Sequence, residues 1–200
     1  MTKLDWKSVR RALSPGQTEE TVPYTEHEYL EKWAQEVYDK FGEGGVAIEI
    51  GSYYGASTVL LAQFFTVIAF DLWYPLESYQ FDYAGDTFPE FVQNMNKFSL
   101  LETGRVVPIL GISNQLDLFP ADNAKLCFID GDHDYEPVKN DIRQCDKHLT
   151  AGGYMVLHDY PRAGGVKDAV DEFLRDNDNY AKIGSVGDGI IALLKKGLVS

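Results

Sequence analysis

A chain of 200 residues with 44% hydrophobic content suits one ordinary globular domain with a sizeable core, and no second domain is required. A formal net charge of −13, from 18 Lys and Arg against 31 Asp and Glu, argues against a partner recognised through nucleic-acid phosphate and leaves small molecules or a basic protein surface. No export signal or bilayer-spanning segment is visible, and Cys127 and Cys145 lack metal-ligand spacing, so a cytoplasmic protein with reduced thiols and no membrane partner is expected.

Residues 1–24 mix charge with Ser14-Pro15-Gly16 and Glu19-Glu20 and read as a loosely packed arm, leaving residues 25–200 as a single domain. Thr25-Glu26-His27-Glu28 fits a capping box, and Tyr29, Leu30, Trp33, Val37 and Phe41 recur at helical spacing behind it. His27 is expected in solvent. Val46 to Ile50, broken only by Glu49, has the length and composition of a central strand covered on both faces. Gly51 then permits a sharp turn and close approach of a ligand, and Ser57 or Thr58 starts a helix carrying Val59, Leu60, Leu61 and Phe64.

A dinucleotide loop uses three glycines to seat a pyrophosphate on a helix N-terminus. Only Gly51 and Gly55 remain here, and Glu49 would repel phosphate. An acid beside a glycine turn suits a cationic or hydroxyl-rich ligand, the alternative being a plain strand-to-helix turn. Thr66 to Asp71 reads as a second strand ending in an acid about twenty residues past Gly51, where a carboxylate accepts from ribose hydroxyls. Trp73 is close enough to flank an adenine. The aromatic stretch from about 74 to 87 reads as a lid-like insertion, with plain packing as the alternative.

Phe88 to Phe98 returns to helical periodicity, and Arg105 to Gly111 is the next strand, with its exit at Ile112-Ser113. Lys125 to Asp130 is a strand that runs into Gly131-Asp132-His133-Asp134. A helix follows from Tyr135 to Leu149, and Gly152-Gly153 turns the chain into the strand Tyr154 to Tyr160, again ending in His158 and Asp159. A helix from Gly165 to about Asn177 precedes two strands, Tyr180 to Val186 and Gly189 to Leu194, flanking a Gly187-Asp188 hairpin turn. The alternation implies an α/β, Rossmann-like, doubly wound and mostly parallel seven-stranded sheet closed by a C-terminal antiparallel hairpin.

Four ordered segments, Glu49 to Thr58, Phe70 to Trp73, Phe128 to Tyr135 and Leu157 to Tyr160, resemble class I S-adenosylmethionine-dependent methyltransferases. The resemblance is to methyltransferase family 24, related to macrocin-type sugar O-methyltransferases and cephalosporin-hydroxylase-like proteins. It implies that Glu49, Gly51, Ser52 and Gly55 hold the methionine part of the cofactor and Asp71 its ribose. Ser113 would lie near the adenine, and Asp130 would also face the cofactor. Many relatives place an acid after the third-strand glycine to accept from the adenine amino group, whereas this chain has Ile112 there.

A second resemblance is to metal-dependent O-methyltransferases of catechols and related phenols. It implies Asp130 and Asp159 as ligands of Mg²⁺ or another divalent metal, with His133 where those enzymes place a lysine base. Tyr160 stands in place of their asparagine ligand. The implied catalytic set is His133, Asp130 and Asp159; capping of the following helix is the alternative for His133, and His158 serves either structure or the site. The expected activity is O-methylation of a small hydroxylated acceptor, a sugar or phenol, by a chain free to form a homodimer. A hydroxylase-like enzyme on the same scaffold, or a cofactor-binding protein without turnover, are the alternatives.

Overall fold

Seven strands form one sheet in the order β3-β2-β1-β4-β5-β7-β6. The computed structural model describes residues 25–73, 86–186 and 189–197. The arm at 1–24, lid residues 74–85 and the Gly187-Asp188 turn lie outside the described residues. Helix α1 (Thr25–Phe41) leads into β1 (Val46–Ile50), α2 (Ala56–Leu61), β2 (Thr66–Asp71), α3 (Phe88–Asn96) and β3 (Val106–Leu110). A 3₁₀ turn (Ser113–Leu118), β4 (Ala124–Ile129), α4 (Tyr135–His148), β5 (Leu149–His158), α5 (Gly164–Asp176), β6 (Tyr180–Val186) and β7 (Ile190–Lys195) complete the chain.

Strands β1 to β5 pair in parallel, and β7 runs antiparallel to both β5 and β6. The terminal hairpin expected from Gly187-Asp188 is therefore present as a strand pair. Because successive strand side chains alternate between faces, the sheet sorts its apolar residues into two layers. Ala47, Val67, Ala69 and Phe128 pack with Leu30, Trp33 and Val37 of α1 and with α2 and α3. Ile48, Ile68, Phe70, Cys127 and Ile129 pack with Val138, Ile142 and Cys145 of α4 and with α5.

Two local expectations change. Helix α2 starts at Ala56 on Gly55, not at Ser57 or Thr58, because Gly55 takes the left-handed conformation (φ 90°) and Ser57 and Thr58 turn inward. Strand β5 begins at Leu149, so Gly152-Gly153 is an irregularity within it rather than a turn before it. A Cβ on Gly153 would stand 2.7 Å from the Lys125 carbonyl oxygen, and the β4–β5 register shifts between Ala124 and Leu126. Among the described residues no helix is long and apolar enough to cross a membrane.

Candidate active site

The β1–α2 loop is set by what lies behind it. Gly51 has φ 85°, and a Cβ there would sit 2.1 Å from the Asp130 carbonyl oxygen where β4 leaves the sheet. Its glycine is demanded by the close approach of two strand exits, a constraint separate from any ligand. Under the loop, Glu49 is fully buried. Its Oε2 accepts from Ser52 Oγ at 2.7 Å and Thr58 Oγ1 at 2.5 Å, while Oε1 is buried with no hydrogen-bond partner. Burial, only partly offset by the Ser57, Thr58 and Ser52 hydroxyls, raises the carboxyl pKa to about 7.

Asp71, at the end of β2, ties the same loop from the other side. Its Oδ2 accepts from the Ser52 and Tyr53 backbone N–H groups at 2.8 and 2.7 Å, and Oδ1 accepts from Trp73 N at 2.6 Å. Three bonds leave lone-pair capacity on a carboxylate, which offers about four sites. Trp73 is 2% exposed; its ring lies 4.8 Å from that of Phe91, and its indole N–H donates to the Tyr53 carbonyl at 3.0 Å. The structure thus places Trp73 as a brace behind the loop.

At the exit of β3, Ser113 begins the 3₁₀ turn and is 1% exposed. Its hydroxyl donates to Asp141 Oδ1 at 2.5 Å and accepts from Asn140 Nδ2 at 2.9 Å, both on α4.

The ends of β4 and β5 meet in a cluster of acids and bases. Asp130, His133 and Asp159 each offer a ligand atom within 4.8 Å of the others. His133 Nε2 is 2.8 Å from Asp159 Oδ2, and that bond raises the imidazole pKa against the opposing effect of burial. Asp159 adopts φ 59°, and its Oδ1 accepts from Arg162. Burial would raise the Asp159 carboxyl, but His133, His158 and Arg162 together hold it well below the usual carboxylate range. His158 Nε2 lies 2.6 Å from Glu26 Oε2 of α1. Its Nδ1 is 3.2 Å from Asp130 Oδ1 and 3.1 Å from Asp159 Oδ2, close but without hydrogen-bond alignment to either. Burial lowers the His158 pKa, yet the Asp130, Asp159 and Glu26 carboxylates outweigh it and the value is pushed up to about 12.

Two glycines hold this cluster shut. A Cβ on Gly165 would lie 2.3 Å from the His133 carbonyl oxygen, so α5 presses on the His133 loop. A Cβ on Gly189 would lie 1.6 Å from Glu26 Oε1, so the glycine leaves the slot that Glu26 fills. Glu26 and Arg162 were missed by the sequence reading. For Glu26 the signal was present: positions 26, 30, 33 and 37 follow helical spacing, which puts Glu26 on the buried stripe with Leu30, Trp33 and Val37. His27, expected in solvent, is half-buried.

Residues 48–160 match a family described as a methyltransferase domain, Methyltransf_24. The chain belongs to methyltransferase family 24, of class I. Among solved structures, the methyltransferase resembles the O-methyltransferase NovP with TM-score 0.74 and 20% identity, over 92% of this chain and 84% of that one. It also resembles the O-methyltransferase from Bacillus cereus in complex with SAH, with TM-score 0.69 and 17% identity over 98% and 93% of the two chains. A curated relative, the uncharacterized protein R132 of Acanthamoeba polyphaga mimivirus, is 39% identical over 70 residues. That stretch is 34% of this chain and 27% of R132.

Asp71 bonds the loop whose Gly51 abuts Asp130, and Asp130 is joined through His158 and Asp159 to His133. The ends of β1, β2, β4 and β5 thus lie in one set of contacts beside the β1/β4 switch point, the place where doubly wound sheets take their ligands.

Proposed function

We propose that this methyltransferase moves the methyl group of S-adenosylmethionine to a hydroxyl of a small molecule, with His133 as general base and Asp130 and Asp159 holding a divalent metal. The observation that carries this reading is the His133–Asp159 bond beside Asp130, one strand exit away from the acid-floored glycine loop. The cofactor supplies an electrophilic methyl on a sulfonium. Glu49, Gly51, Ser52 and Gly55 would hold its methionine end, and the unpaired Glu49 Oε1 fits a cationic group. Asp71 would take the ribose with its remaining lone-pair capacity, Trp73 would keep the loop in place, and Ser113 would border the base.

The Asp130 and Asp159 carboxylates are hard oxygen donors of the kind a divalent ion takes, and each offers a ligand atom within 4.8 Å of the other. Glu26 on His158 Nε2 helps keep that imidazole charged beside the two acids. When bound, such an ion lowers the pKa of an acceptor hydroxyl. Of the protein groups, Asp159 holds the His133 ring through Nε2, Arg162 fixes Asp159, and the half-exposed His133 can take a proton from an acceptor.

Glu49 gives the cofactor reading a pH signature. Below pH 7 the buried carboxyl is mostly neutral, so a cationic ligand must displace its proton. Affinity for S-adenosylhomocysteine should rise by up to about tenfold per pH unit toward pH 7 and level off above it. Glu49→Gln should bind more weakly with no such slope. Calorimetry in two buffers of different ionisation enthalpy reads the released proton directly, and a flat profile in the native protein contradicts the assignment. Without ligand the sign is opposite: the native-state value exceeds the unfolded value, so Glu49 contributes stability fully below pH 4.5. That contribution is lost as pH climbs through 7, on the order of 3 kcal/mol.

The metal is tested separately. Exhaustive chelation should abolish turnover, with recovery on adding a divalent ion and affinity for S-adenosylhomocysteine unchanged. Turnover that survives chelation would leave Asp130 and Asp159 acting without an ion.

A further inference from the structure

We propose that Asp141 of α4 reads the nucleobase of the cofactor, its Oδ2 accepting a hydrogen bond from the 6-amino group of adenine. The proposal rests on the cofactor reading above and supplies the acceptor that Ile112 lacks. With the ribose at Asp71 on the end of β2, the base must extend between the exits of β3 and β4. There the 3₁₀ turn, the Gly131 backbone and Asp141 of α4 lie together.

Ser113 is unfit for the reading role. Its proton is committed to Asp141 Oδ1, one lone pair is committed to Asn140, and the residue is 1% exposed. Asp141 differs. Only its Oδ1 takes a hydrogen bond from a described side chain, and the carboxylate lies mostly buried beside Gly131. A Cβ on Gly131 would stand 3.8 Å from Asp141 Oδ2, an ordinary contact distance, so this oxygen is turned toward the Gly131 backbone where β4 leaves the sheet. Burial, offset in part by Ser113 and reinforced by Asp132, raises the Asp141 pKa to about 6. A carboxylate so placed gains from a neutral N–H donor, and an exocyclic amino group is one. Asn140 and Asp141 also fix Ser113, so a single segment of α4 sets both the shape and the chemistry of this end of the crevice.

The test compares S-adenosyl-L-homocysteine with its deaminated analogue S-inosyl-L-homocysteine, whose base carries a carbonyl oxygen at position 6 and a proton on the neighbouring N1. The native protein should prefer the adenine ligand by roughly 10- to 100-fold, the range for a hydrogen bond to a charged group. Asp141→Asn, which offers an amide donor, should collapse or invert that preference. Gly131→Ala covers the case in which Asp141→Asn fails to fold: its new Cβ meets only ordinary contacts, so the fold should survive while the adenine ligand binds about tenfold more weakly. An unchanged preference in Asp141→Asn overturns the assignment while leaving the cofactor reading standing. Failure of the native protein to bind either ligand overturns both.

Discussion

Replacing His133 by alanine is expected to cut turnover by about 10²- to 10⁴-fold while affinity for S-adenosylhomocysteine stays unchanged. The split follows from where the ring sits. His133 is about half exposed and its imidazole bonds Asp159, whereas the glycine loop is held by Asp71, Glu49 and the β4 exit. Its backbone is fixed by α5 through the Gly165 contact, so removing the ring leaves the fold in place. Single-turnover kinetics beside a calorimetric titration checks both halves. Equal loss of binding and turnover would make His133 a structural link between β4 and β5.

Gly51→Ala should have the largest effect on the fold. The new methyl would face a backbone carbonyl at 2.1 Å, an atom that cannot rotate away, and the left-handed φ of 85° adds its own strain. Together these cost about 2–5 kcal/mol, a large part of the ordinary 5–15 kcal/mol stability of a domain. Thermal unfolding should fall by roughly 5–20 °C and cofactor binding should be lost. Gly164→Ala is the control, because nothing lies within 4 Å of its added Cβ and its φ is not left-handed. Its melting temperature should stay near that of the native protein. Equal tolerance at position 51 would mean that the loop and the β4 exit are not in contact.

The sheet was legible because short apolar runs ending in Glu49-Ile50, Asp71, Asp130 and Asp159 carry both the strand signal and the chemistry of their ends. Less legible were features decided by tertiary partners. The N-terminus of α2 looked like a serine or threonine cap, but Thr58 spends its hydroxyl on buried Glu49 and Gly55 makes the turn. The 3₁₀ turn after β3 is short and irregular in pattern, and Asp141 gains meaning only through Ser113, 28 positions away. Glu26 and His158 are 132 positions apart, and no local rule pairs an acid in a helix's first turn with a histidine at a strand's end. What the pattern could not show was how far the acids are already engaged. Asp71, Asp159 and Glu49 each spend oxygens on the protein before any ligand arrives, which makes them supports of the crevice as well as its lining.

The central claim is that the acid-floored glycine loop seats a sulfur-bearing nucleoside. Calorimetric titration of the native protein with S-adenosylhomocysteine at pH 8 addresses it most directly. One saturable site per chain, lost in Gly51→Ala, is the expected result. The absence of saturable heat in a protein shown to be folded would contradict the account at its base.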